Sequence, residues 1–144
     1  MLHTIPKLNA MLICDQIIVE AGTGKKSLIG IFENIGVSKF PCIHYLLNVY
    51  VKFTDAEGLY QFKLELVDLI TNEVVGFGET PEVNLPDKLQ SYDLPFTLRG
   101  INFKHPGKYE FRIYANKHLF GQKFFTVAQI NPSKKPNDDQ SAKN

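Results

Sequence analysis

The chain has 144 residues, a formal net charge of +1, 44% hydrophobic side chains and 22% charged ones. This length suits one folded domain with a sizeable core, and the composition is that of an ordinary globular protein. The small net charge excludes a whole-molecule electrostatic field that would drive the chain onto nucleic acid or membrane.

The N-terminal segment and the two cysteines bear on the compartment. The apolar run "AMLIC", which ends before Asp15, is too short for a secretory signal. No run approaches the roughly 18 consecutive apolar residues of a membrane helix. Cys14 and Cys42 each lie among apolar residues and fit neither a disulfide framework nor a metal knuckle. We expect buried free thiols, with a Cys14–Cys42 bridge as the alternative, and a cytoplasmic protein without membrane contact.

Apolar and polar side chains alternate along most of the chain, which is typical of half-buried β-strands. The predicted inward-facing residues of three segments are Leu47, Val49, Val51 and Phe53, then Tyr60, Phe62, Leu64 and Leu66, then Tyr109, Phe111 and Ile113. Turn residues separate the segments. The strands predicted from this pattern lie near residues 8–20, 26–36, 44–54, 58–70, 73–84, 92–104, 108–116 and 119–128.

Eight short strands with regular turns predict an antiparallel sandwich of two sheets with little helix. Gly100 interrupts one of these strands, and a β-bulge or a close approach of another backbone would explain a glycine there. Residues 131–144 contain no large apolar side chain. We therefore expect one domain over residues 1–130, followed by a disordered tail over residues 131–144.

The stretch "EAGTGKKSLIG" at residues 20–30 is similar in composition to a phosphate-binding loop. That motif needs Gly, four residues and then Gly-Lys-Ser/Thr, followed by a helix. Alignment on Gly24-Lys25 puts Lys26 where Ser or Thr is required, and alignment on Lys26-Ser27 puts Lys25 where Gly is required. The residues that follow have a strand pattern. We therefore expect a hairpin turn here, and no nucleotide site.

No other motif indicates catalysis or metal binding. The histidines are His3, His44, His105 and His118, and they are scattered along the sequence without a G-x-S-x-G elbow. Asp55 and Glu57 are too sparse for a calcium loop, and no His or Cys cluster has the spacing of a zinc site. We expect no catalytic residue, no metal and no cofactor. A hydrolase site assembled from distant histidines stays open as an alternative.

Charge is unevenly distributed along the chain. Residues 54–93 contain nine acids and two lysines, whereas residues 99–123 contain six bases and one acid. Cross-strand charge pairing on solvated faces is the favoured interpretation. A basic patch for an acidic protein partner is the other. Nucleic acid is not an expected partner, because alternation buries the aromatic side chains of the basic segment. The candidate partner-binding residues are Arg99, Lys104, Lys108, Arg112, Tyr114, Lys117 and Lys123.

Several stretches share a recognisable order of strands and turns. They are "MLICDQIIVEAGTGKKSLIGIFENI", Phe40-Pro41, "VYVKFTDAEGLYQFKLELVD" and "LPFTLRGINFKHPGKYEFRIYANKHLFGQKFFTV". This arrangement resembles an uncharacterised family of small bacterial proteins, a domain of unknown function, over most of residues 8–128. Many relatives carry Asn-Gly where this chain has Asn116-Lys117. The resemblance implies an all-β, immunoglobulin-like antiparallel β-sandwich of about eight strands, and it brings no catalytic residues.

These observations predict a non-catalytic protein-interaction module of the bacterial cytoplasm. Loops and edges of such scaffolds commonly bind proteins, and sheet edges recruit strands, so self-association stays open. The alternative is a binder of a sugar or metabolite in a groove at one end of the sandwich. Its candidate polar groups are Tyr92, Asp93, Asn102 and His105.

Overall fold

The computed structural model is built from β-strands that enclose one apolar core, and it describes residues 4–131. Along the chain the strands are β1 (Lys7–Val19), β2 (Lys26–Ile31), β3 (Asn34–Val37), β4 (Cys42–Thr54), β5 (Gly58–Tyr60), β6 (Phe62–Asp68), β7 (Val74–Glu79), β8 (Val83–Leu85), β9 (Tyr92–Phe103), β10 (Gly107–Ala115) and β11 (His118–Gln129). No helix occurs among residues 4–131. The predicted all-β class is confirmed.

Two large sheets and one short ribbon make up the fold. Sheet I has the strand order β2-β1-β4-β9, and sheet II has the order β3-β11-β10-β6-β7. Strands β5 and β8 form a separate antiparallel ribbon. All neighbours in sheet I are antiparallel. In sheet II the pair β3–β11 is parallel and the other pairs are antiparallel.

The core lies between the inner faces of sheets I and II. All eleven side chains that the alternation placed inward are buried, which confirms that part of the prediction. Aromatic rings connect the sheets, with 4.9 Å between the centroids of Phe53 and Phe62 and 5.0 Å between those of Phe103 and Tyr109. Full burial of one such side chain stabilises a fold by about 1.5–3 kcal/mol, so this layer holds the two sheets together.

Eleven strands occur among residues 4–131 where eight were expected, because three predicted strands are each divided in two. After Ile31 the chain crosses from sheet I to sheet II, where β3 pairs in parallel with β11. Gln61 separates β5 from β6. Thr80, Pro81 and Glu82 separate β7 from β8, and the Thr80 amide and hydroxyl both bond the backbone of Phe62. Proline has no N–H to continue a ladder.

At Gly100 the alternation of buried and exposed side chains along β9 shifts by one residue, and the alternation along the opposite strand, β4, shifts as well. Leu98 and Ile101 both face the core although they are three residues apart, and the opposite strand changes phase between His44 and Leu47. The register around the change is unshifted, with Leu47 opposite Leu98 and His44 opposite Ile101. Gly100 has φ +62°, and nothing lies within 4 Å of a Cβ built there. Neither expected explanation therefore holds, because a one-residue bulge would shift the register and nothing approaches the glycine closely; what Gly100 supplies is its positive φ.

Two hairpin turns use positive φ angles. In the β1–β2 turn, Gly22 and Gly24 have φ +89° and +71°, and the Glu20 amide donates to the Lys25 carbonyl at 2.8 Å. The turn predicted in place of a phosphate loop is thus confirmed, and a strand follows it. In the β10–β11 turn, Asn116 and Lys117 have φ 48° and 70°. Positive φ at both central residues is typical of a type I′ turn.

The structure also bears on the expectations for the cysteines, for a membrane helix and for the C-terminal tail. Both cysteines are free, with Cys14 buried and Cys42 half-buried, and burial raises the pKa of the Cys14 thiol. Among residues 4–131, no helix has the length and apolar character needed to cross a membrane. The predicted disordered tail lies outside the described residues from residue 132 onward.

Candidate functional site

The seven residues predicted to bind a partner do not form one continuous patch. Arg99 lies on β9 in sheet I, and Lys104 lies in the loop that follows β9. Lys123 lies on β11, where its Nζ is 3.1 Å from Oε1 of Glu33. Arg99 therefore lies on the other sheet, Lys104 lies in a loop, and the charge of Lys123 is paired with Glu33. Whether any of them binds a partner stays a prediction.

The other four predicted residues lie on or beside the outer face of sheet II. Lys108, Arg112 and Tyr114 have the same parity along β10, opposite to that of the buried Tyr109. Lys117 follows in the turn that ends β10. Because alternate residues of a strand point to the same side, these side chains share the solvent face of the sheet. The structure thus places four of the seven residues on one face, where Tyr114 and Lys117 lie at one end and Lys108 lies six residues along β10 from Tyr114, a span of about 20 Å.

Strand register places acids from the acidic segment beside these bases. The two rows across the outer face, read from β7 to β11, are Glu79–Lys63–Tyr114–Leu119 and Phe77–Glu65–Arg112–Gln122. Arg112 donates from Nε to Oε1 of Glu110 at 2.6 Å, and this contact raises the pKa of Arg112. Lys63 lies 3.4 Å from Glu65 and 3.9 Å from Glu79. Of these contacts, only the Lys63–Glu79 pair is of the cross-strand kind favoured from sequence, because Lys63–Glu65 and Arg112–Glu110 each lie within one strand.

A groove of about 480 Å³ lies on this outer face. Strands β6, β7 and β10, Gln61 before β6 and the turn after β10 supply its walls. The lining residues are Gln61, Lys63, Glu65, Glu79, Tyr114, Asn116 and Lys117. Two of them, Tyr114 and Lys117, were candidates from the sequence. The others were missed because only the register of β6, β7 and β10 places them beside Tyr114.

Asn116 fixes one end of the groove through its side-chain amide. Its Oδ1 accepts from the Gln61 amide at 2.9 Å, and its Nδ2 donates to the Leu59 carbonyl at 3.1 Å. Its backbone amide donates to the Gln61 carbonyl at 3.0 Å. These bonds connect the β10–β11 turn to the segment between β5 and β6. They hold Lys117 at the groove margin.

Tyr114 forms the floor between the charged groups. Burial, together with the nearby Glu65 carboxylate, raises its pKa. Tyr114 therefore stays a neutral phenol that can both donate and accept a hydrogen bond. A ring with a polar tip in a partly buried groove can bind either a protein side chain or a small polar molecule.

Two exposed phenylalanine rings flank the charged rows. Phe77 on β7 is 62% exposed and Phe124 on β11 is 56% exposed. Lys63 Nζ lies 5.6 Å from the Phe77 ring centroid, and Lys108 Nζ lies 5.6 Å from that of Phe124. Each ammonium is thus within cation–π range of a ring. We call the groove together with Phe77, Phe124 and Arg112 the sheet II face.

Comparison with known proteins identifies the family of the chain. The model of a family of unknown function, DUF6941, matches residues 9–128. The chain belongs to the DUF6941 family. No curated protein matches it. A solved structure with some likeness is the Pseudomonas fluorescens alkylpurine DNA glycosylase AlkC, bound to DNA containing an abasic site analog. The match covers 82% of this chain and 30% of the glycosylase, with 9% identity and a TM-score of 0.45. A likeness at this level supports no argument about function.

In this DUF6941 chain, Asp68 and His105 form a contact that sequence reasoning missed. His105 Nε2 lies 2.6 Å from Asp68 Oδ2, and Nδ1 donates to the Pro106 carbonyl at 2.8 Å. Asp68 also accepts from the amides of Ile70 and Thr71. The Pro106 carbonyl and the Asp68 carboxylate raise the pKa of His105. The pKa of Asp68 is lowered: burial acts to raise it, and bonds from Ile70 and His105 outweigh that effect.

This pair has the geometry of a structural contact. Both ring nitrogens of His105 face acceptors, so neither is placed to take a proton from a nucleophile. Asp68 ends β6 and His105 precedes β10, so the pair closes the β6–β7 turn against the β9–β10 loop. His44 packs against Phe32, with 6.3 Å between ring centroids. His3 lies outside the described residues.

The residues suggested for a small-ligand groove do not converge. Tyr92 and Asn102 are ten residues apart on β9, a span of about 33 Å along a strand. The Tyr92 hydroxyl bonds the backbone of Asp87, and His105 bonds Asp68. Among residues 4–131, no group of three or more His, Cys, Asp or Glu side chains could hold a metal ion.

Asp93 instead anchors the β1–β2 hairpin. Its carboxylate pairs with Lys26 Nζ and accepts from the Tyr50 hydroxyl at 2.9 Å. Burial and this carboxylate raise the pKa of Tyr50 to about 12. Asn48 Nδ2 donates to the Asp15 carbonyl at 2.9 Å. These bonds tie the β1–β2 hairpin to β4 and β9.

Proposed function

We propose that this chain is a non-catalytic protein-interaction module of the bacterial cytoplasm, built on an immunoglobulin-like sandwich. The observation that carries the proposal is the sheet II face, where a groove floored by Tyr114 lies between the exposed rings of Phe77 and Phe124. Aromatic residues and arginine are enriched in protein interfaces and supply most of their binding energy. Strand-borne side chains also present a surface that changes little on binding.

The charges on this face favour a partner that carries acidic side chains. Two of its four cations, Lys63 and Arg112, are balanced by neighbouring acids. Among residues 4–131, however, Lys108 and Lys117 have no carboxylate within ion-pair distance. Lys117 lies at the groove margin and Lys108 lies beside Phe124. Acids on the partner would contact these two ammonium groups at the rim, where they raise the association rate and its salt sensitivity.

The test is capture of a partner from lysate with the full chain and with two charge-reversed variants. Lys117→Glu reverses the charge at the groove, and Lys39→Glu makes the same change in the β3–β4 loop as a control. We expect one partner to be retained at low salt by the wild type and by Lys39→Glu, and to be lost with Lys117→Glu or at high salt. Equal retention by all three proteins would contradict the assignment of the sheet II face.

A small-ligand function is the second candidate, and the dimensions of the groove favour it. A volume of about 480 Å³ falls within the roughly 300–1,000 Å³ of common ligand pockets. Its amide, carboxylate, ammonium and phenol groups suit a sugar or polar metabolite. A thermal-shift screen of such compounds separates the two functions, because a bound ligand raises Tm by mass action. A compound that stabilises the wild type but not Gln61→Ala would establish this function.

A further inference from the structure

The β1–β2 hairpin folds back over the outer face of sheet I. Lys52 on β4 pairs with Ala10 on one side and with Asp93 on the other. Lys26 pairs with Val19, which lies nine residues beyond Ala10 along β1. In a straight strand that separation is about 30 Å, which is far beyond the reach of a lysine side chain. Lys26 Nζ nevertheless bonds the Asp93 carboxylate. The hairpin therefore turns back, and its tip lies above the Asp93 end of sheet I.

The hairpin turns back at Asp15 and Gly30, which the strand register places opposite each other. Gly30 has φ +69°, a backbone conformation that glycine adopts without strain. A Cβ built at Gly30 would clash with the Asp15 carboxylate, so the two strands cross this point in close contact. The Asp15 carbonyl accepts a hydrogen bond from Asn48 Nδ2 of β4 at 2.9 Å. Both strands therefore change direction at one level, and Asp15 and Gly30 form a hinge.

Beyond this hinge the hairpin has one side on sheet I and the other in solvent. The residues that share a side with Lys26 are Ile17, Val19 and Leu28. Lys26, Ile17 and Leu28 are half-buried, and Val19 is exposed at the tip. Because Lys26 contacts Asp93, this side faces sheet I. The residues of the other side, all exposed, are Gln16, Ile18, Ser27 and Ile29. We call residues 16–29 the flap.

Residues beneath the base of the flap are buried although they lie on the outer side of the sheet. Cys14 and Asn48 pair with each other, and they alternate with the core residues Ile13 and Val49. Their exposed fractions are 0% and 9%, whereas Lys52, on the same side of β4, is exposed. The folded flap accounts for this difference, because sheet II covers the inner face only. An open flap would therefore expose the Cys14 thiol to solvent.

Few contacts hold the flap closed. Lys26 bonds Asp93, whose carboxylate also accepts from the Tyr50 hydroxyl at 2.9 Å. The Lys26 and Asp93 side chains are 18% and 28% exposed, so water reaches the pair. The apolar side chains Ile17 and Leu28, on the side that faces sheet I, are only half-buried. Segments with few buried apolar contacts open locally at a lower free energy than the whole fold.

We propose that the flap opens as a unit about its hinge while the sandwich stays folded. The contact between Lys26 and Asp93 holds the flap closed and sets how often it opens. Opening uncovers Cys14 and the outer face of sheet I, so the flap controls access to that face. The proposal is independent of the sheet II face, which belongs to the other sheet of the sandwich.

The test is the rate at which iodoacetamide alkylates Cys14 in the folded full chain. The chain has two cysteines, so Cys42→Ser leaves Cys14 as the single thiol. Loss of a hydrogen bond between charged groups favours the open form, and we expect Lys26→Ala to raise the rate about tenfold. Lys25→Ala is the matched control, because Lys25 has no ion pair among residues 4–131, and it should leave the rate unchanged. Equal rates in the two variants would overturn the proposal.

Two measurements with Lys26 in place do not depend on whether Lys26→Ala folds. Local opening exposes little surface, so alkylation of Cys14 should change little in low urea, whereas global unfolding rises steeply with urea. A free two-stranded hairpin is marginally stable, so the flap amides should exchange with deuterium faster than the amides of β4. If alkylation follows global unfolding at every urea concentration, or if the flap amides are as protected as those of β4, the flap does not open alone and the proposal is wrong.

Discussion

The contact between Asp68 and His105 should make stability depend on pH in a way that one substitution removes. His105→Ala deletes the imidazole that bonds the buried Asp68 carboxylate at 2.6 Å. Asp68 retains its bonds from the amides of Ile70 and Thr71. The carboxylate therefore loses one charge-assisted partner, and it is not left without any. We expect His105→Ala to fold and to be less stable than the wild type.

The size of the loss follows from this partial compensation. A hydrogen bond to a charged group contributes about 1.5–3 kcal/mol to stability. Removing a partner from a fully buried ion pair costs about 3–5 kcal/mol. The His105 side chain is 29% exposed and that of Asp68 is 6% exposed, so water screens one side of the pair. We therefore expect a loss of about 2 kcal/mol, which lowers Tm by roughly 6 °C for a domain of this size.

The sign of the pH dependence follows from the direction of each pKa shift. The pKa of His105 is raised above 6.5 in the folded state. Its contribution is therefore complete below 6.5 and is lost as pH rises through the higher folded value. The pKa of Asp68 is lowered below 3.8. Its contribution is complete above 3.8 and is lost as pH falls through the lower folded value. The pair therefore stabilises the fold most strongly between pH 3.8 and pH 6.5.

Urea unfolding at pH 5.5 and at pH 9 measures this dependence. The stability difference between the wild type and His105→Ala should be about 2 kcal/mol at pH 5.5 and fall below about 1 kcal/mol at pH 9, where a neutral hydrogen bond remains. His118→Ala, which removes an exposed histidine at the start of β11, is the control and should show no such change. A difference for His105→Ala that is equal at both pH values would refute the assignment of a charged imidazole.

Four further substitutions give predictions, each measured as the free energy of unfolding in urea. Lys117→Gly should stabilise the protein by about 1 kcal/mol, because glycine adopts the turn's φ of 70° without strain; no gain would contradict the type I′ assignment. Gly30→Ala should cost more than about 2 kcal/mol, because its Cβ meets the Asp15 carboxylate at a positive φ. Gly22→Ala, with open space around it, should cost less. Asn116→Ala should lower the free energy of unfolding by about 1–2 kcal/mol, because it removes two side-chain hydrogen bonds. An unchanged urea midpoint would show that these two bonds do not hold the end of the groove.

The core and the turns follow from local pattern, and the strand divisions do not. Period-two alternation identifies buried residues such as Val49 and Phe111 because each strand has one face on the core. The crossing after Ile31 depends on where β11 offers an edge to β3, which no local pattern records. The phase change at Gly100 is accompanied by one on β4 at Tyr45, which is 81% exposed. The glycine in the sequence indicates the shift at position 100, and nothing in the sequence indicates the shift at Tyr45.

The candidate site divides in the same way. Alternation along β10 puts Arg112 and Tyr114 on one face, so this part of the prediction needed only the strand. The groove depends on the register between β6, β7 and β10, which is set by tertiary packing. Asp68 and His105 are 37 residues apart and meet because two turns lie at the same end of the sandwich. Their sequence signal, one acid and one histidine beside turns, is too common to identify the pair.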